Sequence, residues 1–365
     1  MKRVLNYGFT GNKGGIETVA LKVLKKVNRT EIAFDFLVFG NQIAYEQEFL
    51  SLGCNIYKLH ETNNPLRRWI DFFRFFKMKR HEIDVFHWSA CNLYSISPLF
   101  FAKLFKIKKI VLHSRQGDYI EKNFFNWIRH TIFKHIAPFF VDEFVSCSKV
   151  AARFMFPSFV VKKGKIRIIH NPVDIDDYKF SRTDREFVRE KYKLKDLFVV
   201  GHVGVFLPFK NHIFLVDIFH EIKKRQPNSK LLLVGSGAEK TNIPKKIKDL
   251  GLENDVIFVG EVPKSAPYLS AMDVFLFPSI NEGFPNVVIE AQTAGLQCFL
   301  SSAITSEVVF SKNLVEQISL KESAQKWALR ILDKPSLCNR KIDDVYLNQL
   351  KIEKIVSLYQ DLYLK

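Results

Sequence analysis

The segment NEGFPNVVIEAQTAG, residues 281–295, holds two glutamates, Glu282 and Glu290, with a Gly283-Phe284-Pro285 turn between them. It follows an apolar run, Val274–Ser279, that reads as a strand. Good helix formers come next, and Gly295 stops them. A helix start of this kind offers backbone N–H groups and the positive end of a dipole, a ready seat for a diphosphate. Glu282 lies just outside the helix and Glu290 about one turn in. One carboxylate can then face a sugar and the other the paired hydroxyls of a ribose, since carboxylates accept from hydroxyls. By residue type alone the pair reads equally well as a loop acid and a solvated helical acid.

Other candidate groups sit at strand ends. Thr10–Gly15, TGNKGG, lies between a strand and a helix, where glycines let the backbone approach a ligand. It is not GxGxxG, so the dinucleotide fingerprint is excluded, and many strand-to-helix turns contain glycine. Lys210 and Asn211 open a helix beyond the strand that ends near Gly204, and a lysine there can neutralise a diphosphate or stand simply at the surface. His113 ends the strand KKIVLHS at the carboxyl edge, where α/β sheets place ligand groups and where a packing histidine is also common. His60, His81 and His87 lack ligand spacing and are given no role. The five cysteines show no metal or redox spacing, and no DxD pair lies in a suitable loop, so neither metal nor cofactor is expected.

These groups need sheets to position them. Short apolar runs alternate with amphipathic stretches, which predicts parallel strands with crossover helices. In the first half the strands are 3–9, 34–39, 84–88, 109–113, 143–147 and 167–169, with helices over 17–27, 66–78 and 124–136. The cadence restarts with strands at 198–203, 230–234, 256–259, 274–277 and 297–300, and helices over 213–224, 243–250 and 286–294. Two sets imply two doubly wound domains. The polar stretch 170–196 reads as a linker, and apolar positions at helical spacing predict a final helix over 342–364.

Residues 281–295 resemble the signature of glycosyltransferase family 4, two glutamates with seven residues between them. The match runs through Glu282, Gly283, Phe284, Pro285, Asn286, Val287, Glu290, Ala291 and Gly295. NKGGIETVALKVLKKVNRTEIAFDFLVFG is similar to the opening of the bacterial exopolysaccharide and capsular polysaccharide transferases of that family. So, in order, are VSCSKVAARFMF, IIHNPVDIDDYKF and GHVGVFLPFKNHIFLVDIFHEIKKRQPNSKLLLVGSG. The resemblance implies an α/β GT-B fold, two Rossmann-like domains (1–170 and 171–345) with parallel sheets facing across a cleft, and a C-terminal helix, 346–365, packing back on the first.

It also implies a retaining, metal-independent hexosyltransferase that uses a nucleotide sugar, UDP by family prior. Glu282, Lys210 and His113 would be catalytic: Glu282 orienting the sugar, Lys210 on the departing phosphate, His113 against the transferred sugar. Gly14, Gly15, Asn211, Gly235, Gly283, Phe284, Pro285, Asn286, Val287 and Glu290 would bind the donor, with Glu290 on the ribose. The chain departs from the family pattern at Val205, where an arginine usually shares the diphosphate with the lysine. Loss of one such clamp is worth roughly 2–4 kcal/mol in the transition state. It departs again at Ser114-Arg115-Gln116, where relatives read Ser-His-Asn, and at Ser302, where aspartate is frequent.

Charge narrows the partners. Residues 1–170 carry 28 Lys and Arg against 13 Asp and Glu, and the rest of the chain is nearly balanced. A one-sided excess points to a polyanion. Three aromatic-basic segments, 67–80, 99–109 and 123–140, have the composition of helices lying in a headgroup layer or of core helices with a basic outer face; in the first, Trp69, Phe72, Phe73 and Phe76 share a side. With no signal-peptide-like start and no uncharged apolar stretch of 18 residues, the chain is expected in the cytoplasm, and the basic half places it on the inner face of the cell membrane, as a peripheral protein. The resemblance implies a polyprenyl-diphosphate-linked or polysaccharide acceptor, and no nucleic-acid motif is found. The competing readings are a nucleotide-sugar epimerase on the same fold and a degenerate, non-catalytic glycan-binding protein. The particular sugar, the linkage and the oligomeric state are not encoded in legible form.

Overall fold

The computed structural model describes residues 1–62, 64–119, 123–334, 340 and 347–365. Residues 342–346 of the expected final helix, and Cys338, lie outside them. The chain divides into two units, Met1–Pro172 with Leu350–Lys365, and Val173–Gln349.

The first unit is built on seven parallel strands: β1 (Lys2–Tyr7), β2 (Ile32–Phe39), β3 (Asn55–Leu59), β4 (Val85–Ala90), β5 (Lys109–Ser114), β6 (Glu143–Ser146) and β7 (Ile166–Ile168), in the order β3-β2-β1-β4-β5-β6-β7. The second holds six: β8 (Phe198–Val203), β9 (Ser229–Val234), β10 (Val256–Gly260), β11 (Val274–Phe277), β12 (Gln297–Ser301) and β13 (Val315–Ile318), in the order β10-β9-β8-β11-β12-β13. Both are Rossmann-like sheets of the GT-B class. Helices cover both faces, so β4, β11 and β12 are buried along their whole length, and β11 reads as an unbroken apolar run. Strand order reverses between β1 and β4 and again between β8 and β11. These are the switch points where neighbouring loops part and leave a crevice at the carboxyl edge.

Two strands escape the sequence reading, β3 (NIYKL) and β13 (VEQI). Both are edge strands with one neighbour, half-exposed, and so without the apolar run that marks a buried strand. The expected linker is also corrected. From Val173 it belongs to the second unit, as the helices Ile175–Tyr178 and Arg182–Lys191. Ser181 caps the longer one, and Arg185 and Arg189 both reach Asp273 at 2.6 Å. Polar composition there reflects a surface helix held by a charge cluster rather than a free tether.

The final helix, Ile352–Leu364, packs in the first unit against the helix Gly15–Lys26 and β1, burying Ile355, Val356, Tyr359, Leu362 and Tyr363. In the helix Pro65–Lys79 the aromatic side expected for 67–80 straddles core and surface: Phe72 and Phe76 are core residues together with Phe75, while Trp69 and Phe73 stay partly exposed against Phe101. Phe76 touches Phe72, Phe75 and Phe86 there.

Candidate active site

In the second unit the chain leaves β8 through Gly204 and Val205, makes a 3₁₀ turn at Pro208–Lys210, and enters the helix His212–Arg225 through Asn211. Asn211 has φ 60°, a left-handed conformation that asparagine tolerates. The chain leaves β11 through Pro278–Pro285 and enters the helix Asn286–Thr293. The Ile280 amide donates to Phe209 O at 2.8 Å and Asn211 Nδ2 to Pro278 O at 3.2 Å, so the two loops are fastened to each other. Between them Lys210 Nζ donates to Glu282 Oε1 at 2.5 Å, with 13% and 11% of the two side chains exposed. The ammonium also lies over the Phe277 ring at 4.9 Å, which favours its charge. Two residues 72 apart in sequence thus form one charged centre.

Around that centre the helix Asn286–Thr293 starts from Pro285, which supplies no side-chain cap to the first-turn amides. Gly283, Phe284 and Pro285 are buried and fix the turn. Asn286 and Val287 are half-buried in the first turn. Glu290 is buried and receives the Tyr178 hydroxyl; burial and this carboxylate together push the phenol well above its ordinary value. Gly235 has φ +129°, and an added Cβ would lie 2.0 Å from Gly204 O. Only glycine lets the end of β9 pass the end of β8 there.

Residue types alone missed Ser279 and Asn281. Ser279 Oγ and Asn281 Nδ2 are buried and have no hydrogen-bond partner among the described residues. Such atoms cost about 1–3 kcal/mol each unless something serves them. Both precede Glu282 in its loop and mark that loop as built to receive polar atoms. Beneath it, His202 Nδ1 donates to Leu276 O at 2.9 Å and its ring lies 4.7 Å from that of His212. Burial pushes both imidazoles down, His212 to about 4, with Lys210 adding to the effect. Both are neutral at pH 7.

In the first unit Gly14 caps the helix Gly15–Lys26 and Gly15 opens it, exposed. The loop is held from below by Glu17, which accepts from Thr10 N at 2.9 Å and Thr10 Oγ1 at 3.1 Å. Burial raises the Glu17 carboxyl and the Thr10 donors oppose the shift. His113 is fully buried. Its Nδ1 lies 3.2 Å from His87 Nε2, and His87 Nδ1 lies 2.5 Å from Tyr363 Oη. Burial pushes both imidazoles down, His87 to about 3, and pushes the Tyr363 phenol up. Tyr363 keeps its proton and has no other hydrogen-bond acceptor among the described residues, so it donates to His87. His87 then donates to His113, whose Nε2 carries the remaining proton.

That buried Nε2–H has no partner among the described residues, nor has the Gln116 amide nitrogen nearby in sequence. His113 is thus arranged as a neutral donor and not as a base. His87, given no role from spacing, completes the chain because β4 and β5 pair side by side. Arg115 ties the same layer together, donating to Asn171 Oδ1 and Tyr359 Oη, each at 3.1 Å.

The family description Glycosyltransferase Family 4 matches residues 13–177, and Glycosyl transferases group 1 matches residues 184–337. The chain is 29% identical over 340 residues to the putative glycosyltransferase EpsF of Bacillus subtilis, covering 90% of this chain and 86% of that protein. It is 28% identical over 302 residues to the capsular polysaccharide biosynthesis glycosyltransferase CapH of Staphylococcus aureus, covering 80% and 79%. Among solved structures, Anabaena HepE in complex with UDP and glucose has the same fold, with a TM-score of 0.75 at 18% identity over 99% of this chain and 95% of that one.

Proposed function

This chain belongs to glycosyltransferase family 4, and from that premise we propose that it moves a hexose from a UDP-sugar to a lipid-linked or growing surface-polysaccharide acceptor, with retention of configuration and without a metal. The observation that carries the reading is the Lys210–Glu282 pair at the β8/β11 switch point, beside a helix start without a side-chain cap. In the reaction the bond from the anomeric carbon to the diphosphate oxygen breaks and a bond to the acceptor oxygen forms on the same face. The acceptor proton passes to the departing diphosphate. Negative charge grows on that phosphate, where Lys210 and the first-turn amides stabilise it. Positive charge grows on the sugar ring, where Glu282 stabilises it. Lys210 and Glu282 neutralise each other, and the donor enters by exchanging that ion pair for one between Lys210 and the diphosphate and for hydrogen bonds from the sugar hydroxyls to Glu282.

Glu290, oriented by Tyr178, accepts from the ribose hydroxyls. The capsular role of CapH supports a surface-polysaccharide acceptor, and the basic first half of the chain supports work at the anionic inner face of a membrane. One observation favours a second reading, a glycan-binding protein that has lost catalysis. Val205, 39% exposed beside Gly204, offers no charge to a diphosphate. The two readings separate in one experiment. Purified chain is titrated with UDP and GDP by thermal shift, then given UDP-sugars and a polyprenyl-diphosphate glycan in the presence of EDTA, with the product anomer read by NMR. Transfer with retention establishes the enzyme; UDP binding with neither transfer nor donor hydrolysis establishes the binding protein.

A further inference from the structure

The helix Phe124–Ile136 is turned inside out. Most surface helices bury their apolar stripe, yet His130 is its single buried residue. His130 accepts from the Leu93 amide at 3.1 Å, lies 3.1 Å from Phe154 O, and stacks on the Phe154 ring. Lys134 donates to Arg153 O at 2.7 Å on the same inner side. Phe124, Ile128, Ile132 and Ile136 recur every four residues and so share the other face, with Phe125 beside them. Exposure is 67% for Phe124, 71% for Phe125, 51% for Trp127 and 79% for Phe139 just beyond the helix. Phe124 stacks on Trp127 with the ring centroids 6.2 Å apart. Single exposed apolar residues are ordinary, whereas a contiguous aromatic face fixed outward by inward polar bonds marks a binding surface.

We propose that this face, Phe124 to Phe139, is the element with which the chain enters the interfacial layer of an anionic lipid bilayer. The inference rests on the reading of a membrane-bound acceptor. Charge selects the occupant. Arg129 is exposed, and residues 123–140 contain no acidic residue, within a half of the chain that is strongly basic. A second copy pairing through the same face would set like charges against each other, while anionic headgroups complement them. Length excludes spanning: 13 residues reach about 20 Å, against a hydrocarbon core of about 30 Å, and no described helix is long and apolar enough to cross. The helix therefore lies in the plane of the interface. The other two aromatic-basic segments differ: Pro65–Lys79 buries Phe72, Phe75 and Phe76, and Ser97–Leu104 buries Leu99 and Phe101.

The test uses the full chain and vesicles of phosphatidylglycerol and phosphatidylcholine in equal parts, with phosphatidylcholine alone as control. The chain floats with the anionic vesicles, and bromine-labelled acyl chains quench its tryptophan emission. Trp127→Phe removes most of that quenching. Joint Phe124→Ser, Phe125→Ser and Phe139→Ser weakens binding roughly tenfold or more while leaving melting temperature and UDP binding in place, because the rings support no core. If the wild-type chain floats and the triple variant floats equally well, the assignment of this helix is overturned and the membrane reading stands. If the wild-type chain ignores anionic vesicles, both fall. A dimer in light scattering that the triple variant dissociates, without vesicle binding, overturns the proposal in favour of a second copy.

Discussion

Lys210 and Glu282 are the two side chains on which turnover depends most directly. Replacing Lys210 by Ala or Glu282 by Ala removes charge that acts chiefly as the donor bond breaks, so kcat should fall about 10²–10³-fold with circular dichroism unchanged. A rate within a few-fold of wild type in either variant would remove that residue from the mechanism. Because the two are paired in the free chain, their effects should be far from additive in the double variant. Val205→Arg restores the second cation beside Gly204 and should raise kcat or donor affinity; a loss would show the pocket rebuilt around valine. The buried histidines predict a pH response. His87, His113, His202 and His212 are neutral when folded, with His87 at about 3 and His212 at about 4, while an unfolded imidazole titrates near ~6.5. Below that value the unfolded chain binds more protons, so stability falls as pH drops from about 6.5 toward 4, by up to ~1.4 kcal/mol per unit for each group, and is flat above. Urea midpoints at pH 7 and pH 5 measure it, and His212→Leu should shrink the difference.

At the scale of elements, the strand ends act as brackets. β8 and β11 carry no reactive group, yet their parting at the switch point sets the Lys210 and Glu282 loops side by side, and their pairing fixes the spacing. β4 and β5 do the same for His87 and His113, and the final helix closes that chain with Tyr363. Tyr363→Phe takes away the proton that orders the two imidazoles. Nitrogen NMR should then show His113 in mixed tautomers instead of Nε2–H alone, and kcat should fall more than donor KM rises. An unchanged spectrum would mean the order of protons is set elsewhere. Ile355→Ala in the same helix carries no chemistry and should cost about 2–5 kcal/mol by leaving a cavity in the first unit's core.

For the whole molecule, the chain's return to the first unit has a consequence. A chain ending at Gln349 keeps every residue of the second unit but strips the first of its buried Ile352, Ile355, Val356, Tyr359, Leu362 and Tyr363. Such a chain should still give a thermal shift with UDP while transfer is lost; loss of the UDP response would place part of the nucleotide seat in the first unit. The sequence by itself determined the α/β class, the paired doubly wound sheets and the Glu282-to-Gly295 signature. All of these are written in local patterns: buried parallel strands are continuous apolar runs, and a helix start is read from the turn before it. Edge strands β3 and β13, half wet, leave no such mark. Tertiary structure alone decided that Lys210 meets Glu282, that Tyr178 holds Glu290, that His87 and Tyr363 set the proton on His113, and that of three aromatic-basic segments one faces outward. Each of these joins residues far apart in the chain or distinguishes an inner face from an outer one. Composition and period report that a helix has two sides; only packing against its neighbours determines which side is buried.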